Sequence, residues 1–274
     1  MQGVRPLLLA VLFCAVGCKS FSSDPTEEPT PDSDAGSGSD AGEVTCPNGA
    51  LSFAGKAYVN VEANDALNPS SDLSVEAWIR PSAEIAAREV YILSHHDPNN
   101  FDGWSLSLNA GVVFRVYTGS AAGGTVGQAA DKNLKYGEWH HVAAVFDGAA
   151  KAITIYIDGV TAGPTATTQS KIDPYTGPLA IGATASPPGA GYVGLIEELR
   201  VSGKVRYTAP FKPAYPLLDS EEATIGTWHF IEGKLSGDVA REATGKLTSS
   251  LATFAMSGNE LPAPVKDTCP TGAR

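Results

Sequence analysis

Apolar residues in this chain recur mainly at every second position, in short runs separated by Gly, Pro, Asn and Asp. Side chains alternate between faces along a strand, so this is the pattern of a β protein. The strongest stretch is Tyr136 to Asp158, YGEWHHVAAVFDGAAKAITIYID. Trp139, His141, Ala143 and Val145 share one face of an extended segment, and His140, Val142, Ala144 and Phe146 the other. Both faces are mostly apolar, which predicts a central strand. Asp147-Gly148 turns the chain, and Ile153, Ile155 and Ile157 then alternate with Thr154, Tyr156 and Asp158 up to a second Asp-Gly turn.

The same reading predicts strands elsewhere. Gly49 to Val61 holds two, separated at Gly55-Lys56. Leu73 to Arg80 buries Leu73, Val75, Ala77 and Ile79 on one face and ends at Pro81. Tyr91 to Ser94 is a short strand, followed by a loop from His95 to Gly103 in which both histidines are solvated. Trp104 to Leu108 and Val113 to Tyr117 form a hairpin across Asn109-Ala110-Gly111. Gly119 to Gly127 and Pro164 to Tyr175 read as loops, Leu179 to Gly182 as a short strand. Gly194 to Val201 and Thr227 to Gly233 complete the set, the latter with a partner expected near Leu247 to Met256. Ala83 to Glu89 offers a helical turn or two, and no long helix competes. The prediction is an all-β sandwich.

Several of these runs resemble one family. W-H-H-V-A at Trp139–Ala143, a turn, then I-Y-I-D-G at Ile155–Gly159 resembles the central signature of laminin-G-like domains, the concanavalin A-like lectin/glucanase sandwiches. Leu73 to Pro81 is similar to the family's strand ending A-W-φ-x-P. Gly194 to Pro213 resembles its closing signature, with Ile196-Glu197-Glu198-Leu199-Arg200, then Arg206-Tyr207, then Phe211-Lys212-Pro213. Thr227 to Gly233 resembles a W-x-F-x-E-G strand. The resemblance spans roughly residues 48–258 and implies an antiparallel jelly roll. Its implied functions are binding of carbohydrate or of an extracellular protein. A structural or assembly subunit of the envelope is the alternative, and a divergent glycan hydrolase or lyase the third.

The N-terminus changes the setting. Met1 to Gly17 has Arg5, an apolar run and small residues before Cys18, a signal peptide too short to span a membrane. Ala15-Val16-Gly17-Cys18 resembles a bacterial lipobox, with Ala15 where the family commonly has Leu. It implies a lipid on Cys18 and, with Lys19 next, an outer-membrane or surface-exposed lipoprotein. Residues 18–45 are rich in Pro, Ser, Asp and Gly without apolar periodicity, the composition of a disordered acidic tether. The folded domain is expected over 46–274. The formal net charge is −11, and without Arg5, Lys19 and the seven tether acids it is −6. A mildly acidic domain without basic clusters argues against nucleic acid as a partner. With Cys14 in the signal and Cys18 lipidated, Cys46 and Cys269 remain; they bracket the domain and pair as a disulfide or stay as free thiols. Closing so long a loop contributes roughly 4–5 kcal/mol in the chain-entropy model.

Candidate chemistry is sparse. Retaining glycosidases need two carboxylates about 5–5.5 Å apart, and the spacings E-x-D-x-x-E and E-x-D-x-E do not occur. Glu197 and Glu198 are adjacent, so alternation sends them to opposite faces. No enzyme activity is expected. Neighbouring histidines in His95-His96 and His140-His141 diverge along a strand, and no Cys or His completes a zinc set. Calcium is the one cofactor the resemblance raises: Glu242-Ala243-Thr244-Gly245 matches its D-x-S-G, and Glu197 replaces its other Asp, making Glu197 and Glu242 the implied metal ligands. Trp104, Tyr117, Tyr175 and Tyr192 are the rings proposed to stack on sugars. Tyr175 and Tyr192, flanked by Pro and Gly, are expected to be the most exposed.

Overall fold

The computed structural model of the chain describes residues 49–97, 99–100, 102–119, 125–185, 188–217, 222–230, 240–242, 249–253 and 262–265. The signal segment, Cys18, the tether, Cys46 and Cys269 lie outside the described residues. In chain order the strands begin with β1 (Ala50–Ala54), β2 (Ala57–Val61), β3 (Asp72–Pro81), β4 (Val90–Asp97), β5 (Asp102–Leu108) and β6 (Val112–Thr118). Next come β7 (Thr125–Asp131), β8 (His140–Asp147), β9 (Ala152–Ile157), β10 (Thr165–Ala166), β11 (Leu179–Ile181) and β12 (Thr184–Ala185). Last are β13 (Pro188–Gly189), β14 (Val193–Ser202), β15 (Thr224–Phe230), β16 (Ala240–Glu242), β17 (Ser249–Thr253) and β18 (Ala263–Val265). Helix among the described residues is confined to 3-10 turns at Asp65–Leu67 and Ala83–Ile85.

The strands form a two-sheet antiparallel sandwich. Among the described residues, one sheet has nine strands in the order β10-β9-β8-β3-β14-β1-β18, with β15 on β14 and β16 on β15. The other has seven in the order β17-β2-β11-β4-β5-β6-β7. Inner faces alternate as the sequence requires. Leu73, Val75, Ala77 and Ile79 of β3 and Val142, Ala144 and Phe146 of β8 join Trp104, Leu106 and Leu108 of β5 in one buried cluster. Each large apolar side chain so buried is worth about 1.5–3 kcal/mol.

Four readings are corrected. His95 and His96 belong to β4 and are buried, because the strand continues to Asp97 opposite Trp104, Gly103 and Asp102. Thr125–Asp131 is a strand, paired with β6 through backbone bonds that its small residues permit but do not advertise. The strand at Ser249–Thr253 pairs with β2 in the opposite sheet, whereas β15 takes β14 and β16. Lastly, the pairing of β14 with β3 shifts register between Ile196 and Glu198, and this bulge defeats the simple alternation assumed for Glu197 and Glu198. It falls where the other edge of β14 passes from β1 to β15.

Candidate functional site

The outer faces of the two sheets are built differently. On the nine-stranded sheet, Glu76, Trp78, His141, Ala143, Val145, Tyr156, Glu198 and Arg200 are buried although they face away from the core. Residues 203–217 cover them as a strap. Ser74 donates from Oγ to the Lys204 carbonyl at 2.7 Å, and Trp78 from Nε1 to the Ala214 carbonyl at 3.0 Å. Phe211 N–H donates to the Gly159 carbonyl at 3.0 Å. Gly159, at φ +76°, has no room for a Cβ, which would lie 1.8 Å from the Phe211 oxygen. The Asp-Gly turn read in the sequence is therefore also the strap's seat.

A charged cluster fastens the strap. Arg200 donates from Nε to Glu76 Oε1 at 2.7 Å, and Nη2 reaches the same oxygen at 2.7 Å. His141 Nε2 donates to Glu76 Oε2 at 3.1 Å and the Tyr207 hydroxyl donates to it at 2.8 Å. Tyr207 stacks on Phe211 with ring centroids 3.6 Å apart. Burial alone would raise the Glu76 carboxyl. The hydrogen bond and charge of His141, the charge of Arg200 and the Tyr207 hydroxyl overcome that and hold it at about 2. A carboxylate, a histidine, a tyrosine and an arginine are the groups of a hydrolytic or lyase centre. Here Glu76 is 1% exposed and His141 0%, so no substrate reaches them.

Glu197 and Glu198 serve the same strap. Glu197 Oε1 accepts from the Tyr215 hydroxyl, and Glu198 Oε2 accepts from Leu217 N–H at 2.5 Å while Oε1 pairs with His229 Nδ1 at 2.8 Å. Burial, with the hydrogen bond and charge of Glu197, raises the Tyr215 hydroxyl above its ordinary value. Calcium takes about six to eight oxygens. Among the described residues no three of His, Cys, Asp and Glu gather as a metal set, and Glu197 Oε1 is already engaged by the Tyr215 hydroxyl. Glu242 has its backbone on β16 opposite Trp228, and its side chain lies outside the description.

An accessible site occurs at one end of the seven-stranded sheet. A cavity of about 350 Å³ is lined by Ala63, Asn64, Asp65, Asn68, Tyr175 and Thr176. Asn68 clamps its two loops together. Its Oδ1 accepts from Tyr175 N–H at 2.9 Å and from His95 Nε2 at 3.1 Å, and its Nδ2 donates to the Tyr175 carbonyl at 3.1 Å. Trp104 Nε1 donates to the Leu67 carbonyl at 3.1 Å, fixing the 3-10 turn from below. The His95 ring packs edge-on against Tyr175 at 5.1 Å and lies beside Trp104 at 5.7 Å. Burial pushes His95 down to about 4. Among the described residues the lining carries a carboxylate, two amides, a hydroxyl and one ring, with no cation.

A laminin G family model, described as the concanavalin A-like lectin/glucanases superfamily, matches residues 53–209, more than half of the chain. The chain belongs to that superfamily. No curated protein sequence matches it. Among solved structures it is similar to a "putative carbohydrate binding protein" from Bacteroides ovatus ATCC 8483, at 18% identity and a TM-score of 0.56. That match covers 79% of this chain and 61% of the other, so the chain spans less than two thirds of that protein's length. A heptameric SAP-like pentraxin from Limulus polyphemus matches at 14% identity and a TM-score of 0.45, over 77% of this chain and 98% of its own. Mouse laminin alpha1 domains LG4-5 match at 16% and 0.42, over 59% and 44%. At these identities the likeness is one of fold.

In this concanavalin A-like domain the four candidate rings separate. Tyr175 lines the cavity and Trp104 lies beneath it. Tyr117 stands on the outer face of the seven-stranded sheet, stacked on His96 at 5.0 Å, with Tyr91 on the other side of that histidine at 5.5 Å. Tyr192 is remote, packed edge-on against Phe53 at 6.0 Å, its hydroxyl donating to the Leu195 carbonyl. The expected exposure of Tyr175 and Tyr192 is overturned: they are 8% and 0% exposed, because their Gly- and Pro-flanked loops fold back onto the sheet. Trp104 likewise has no accessible face. Asn64, Asp65, Asn68 and Thr176 were missed as lining residues. For the first three the signal was only the polar stretch around the Asn68-Pro69 turn, and for Thr176 only its place in the loop ending at Gly177-Pro178.

Proposed function

We propose that this chain is a non-catalytic carbohydrate-binding module, held at the cell envelope by a lipid on Cys18 and extended on its acidic tether. The observation that carries the reading is the open polar cavity at the loop rim, whose amides, carboxylate and hydroxyl suit sugar hydroxyls and whose walls are fixed by the part-buried Asn68–Tyr175 and buried Trp104–Leu67 hydrogen bonds. Absence of turnover is supported by the commitment of Glu76, Glu197 and Glu198 to the strap. A glycan-array screen of the full chain in detergent tests the binding. Retention on a defined set of glycans is expected, and no glycan bound above background removes the reading. Fatty-acid labelling that disappears in Cys18→Ser tests the anchor, and labelling that survives removes it.

A further inference from the structure

Resting on the carbohydrate reading, we infer that the cavity selects uncharged sugars and rejects glycans ending in a carboxylated or sulfated residue. Its ionisable lining residue is Asp65, which is exposed, while Asn64, Asn68 and Thr176 are neutral. Among the described residues no lysine, arginine or histidine lines the cavity to receive an anion. Lys171, on the segment leading to Tyr175, already pairs with Asp173 at 2.8 Å. His95 beneath the rim is held in its neutral form by burial and directs Nε2 to Asn68.

The consequence follows from charge and hydrogen-bond capacity. An uncharged polyol donates hydroxyls to the Asp65 carboxylate, accepts from the amide NH2 groups, and both donates to and accepts from Thr176. A sugar carboxylate brought to the same wall meets a like charge without a counter-cation, and like-charge juxtaposition is how binding sites exclude wrong ligands. Because Asp65 is exposed, this discrimination weakens as salt shortens the Debye length from about 10 Å at 0.1 M to about 3 Å at 1 M.

The test compares a neutral oligosaccharide with its sialylated counterpart by titration of the full chain at low and high salt, in wild type and Asp65→Asn. The neutral sugar is expected to bind at least about tenfold more tightly than the sialylated one at low salt, equivalent to about 1.4 kcal/mol. That ratio should fall in high salt and in Asp65→Asn. Equal or tighter binding of the sialylated sugar, or a ratio unchanged in Asp65→Asn, overturns the charge selection and leaves carbohydrate binding intact. Binding of neither sugar, with none on the array, overturns the carbohydrate reading and the selection with it.

Discussion

The outer face of the nine-stranded sheet and the rim of the seven-stranded sheet both carry polar and charged groups, yet they put them to opposite uses. Under the strap, Glu76 is met by Arg200, His141 and Tyr207, and every bond runs from sheet to strap or along the sheet. At the rim of the other sheet, Trp104, His95 and Asn68 also form buried hydrogen bonds, but these hold loops around an open cavity. The difference teaches that convergence of catalytic residue types is a poor guide to a site. Access separates a fastening from a binding surface. The W-H-H, I-E-E-L-R and R-Y runs that give the family its recognisable sequence supply the fastening.

The comparison breaks most severely if the fastening is cut. Arg200→Ala leaves the Glu76 charge buried without its guanidinium partner, and denaturant unfolding should show a loss of about 3–5 kcal/mol. A loss under about 1 kcal/mol would mean that the cluster does not hold the strap. Acid should separate the two faces next. The Glu76 carboxyl is depressed from 4.5 to about 2, so its contribution is present above pH 4.5 and lost as pH falls toward 2. Integrated over that interval it amounts to about 3 kcal/mol. His95 and His96 are held at about 4 by burial, below the ordinary 6.5, with the Arg115 charge a second cause for His96. The unfolded chain therefore binds their protons first, and the stability contributed by the seven-stranded sheet declines earlier, as pH falls from 6.5 to 4. Unfolding free energy measured against pH should lose its slope between 6.5 and 4 in a His95→Gln, His96→Gln variant and keep the slope below 4.5.

Smaller changes sharpen the contrast. Asn68→Ala removes the clamp, leaves His95 and the Tyr175 backbone without their acceptor and donor, and should cost about 1–3 kcal/mol of stability. It should also weaken glycan binding about tenfold or more, whereas Arg200→Ala should leave the affinity of the folded fraction unchanged. Lys135→Ala is the control. Its pair with Glu138, 3.6 Å apart on an exposed loop, should leave stability within about 0.5 kcal/mol of wild type.

What was legible in the sequence follows from periodicity. β3 and β9 alternate cleanly and their residue types mark an inner face without a structure, β8 is apolar on both faces as a central strand must be, and β14 alternates up to its bulge. β7 was invisible because Thr125–Asp131 contains Gly, Gln and two alanines in place of the aromatic and branched residues of its neighbours. His95 and His96 were misplaced because histidines beside Asp and Pro look like a loop, while cross-strand pairing to β5 carries the strand three residues past Ser94. The bulge at Glu197 depends on the partner change along β14, a tertiary fact that no local pattern contains. The cavity was the least legible part. Its lining comes from segments more than a hundred residues apart, joined by Asn68 and Tyr175.

The most direct test of the account is the affinity of Thr176→Trp for the best glycan found on the array, measured by titration calorimetry beside wild type. Thr176 is an exposed lining residue, so an indole there fills the cavity without entering the core. The account predicts an unchanged melting temperature and a loss of binding of about a hundredfold or more, close to 3 kcal/mol. Wild-type affinity in the folded variant would contradict it and place sugar recognition elsewhere on the molecule.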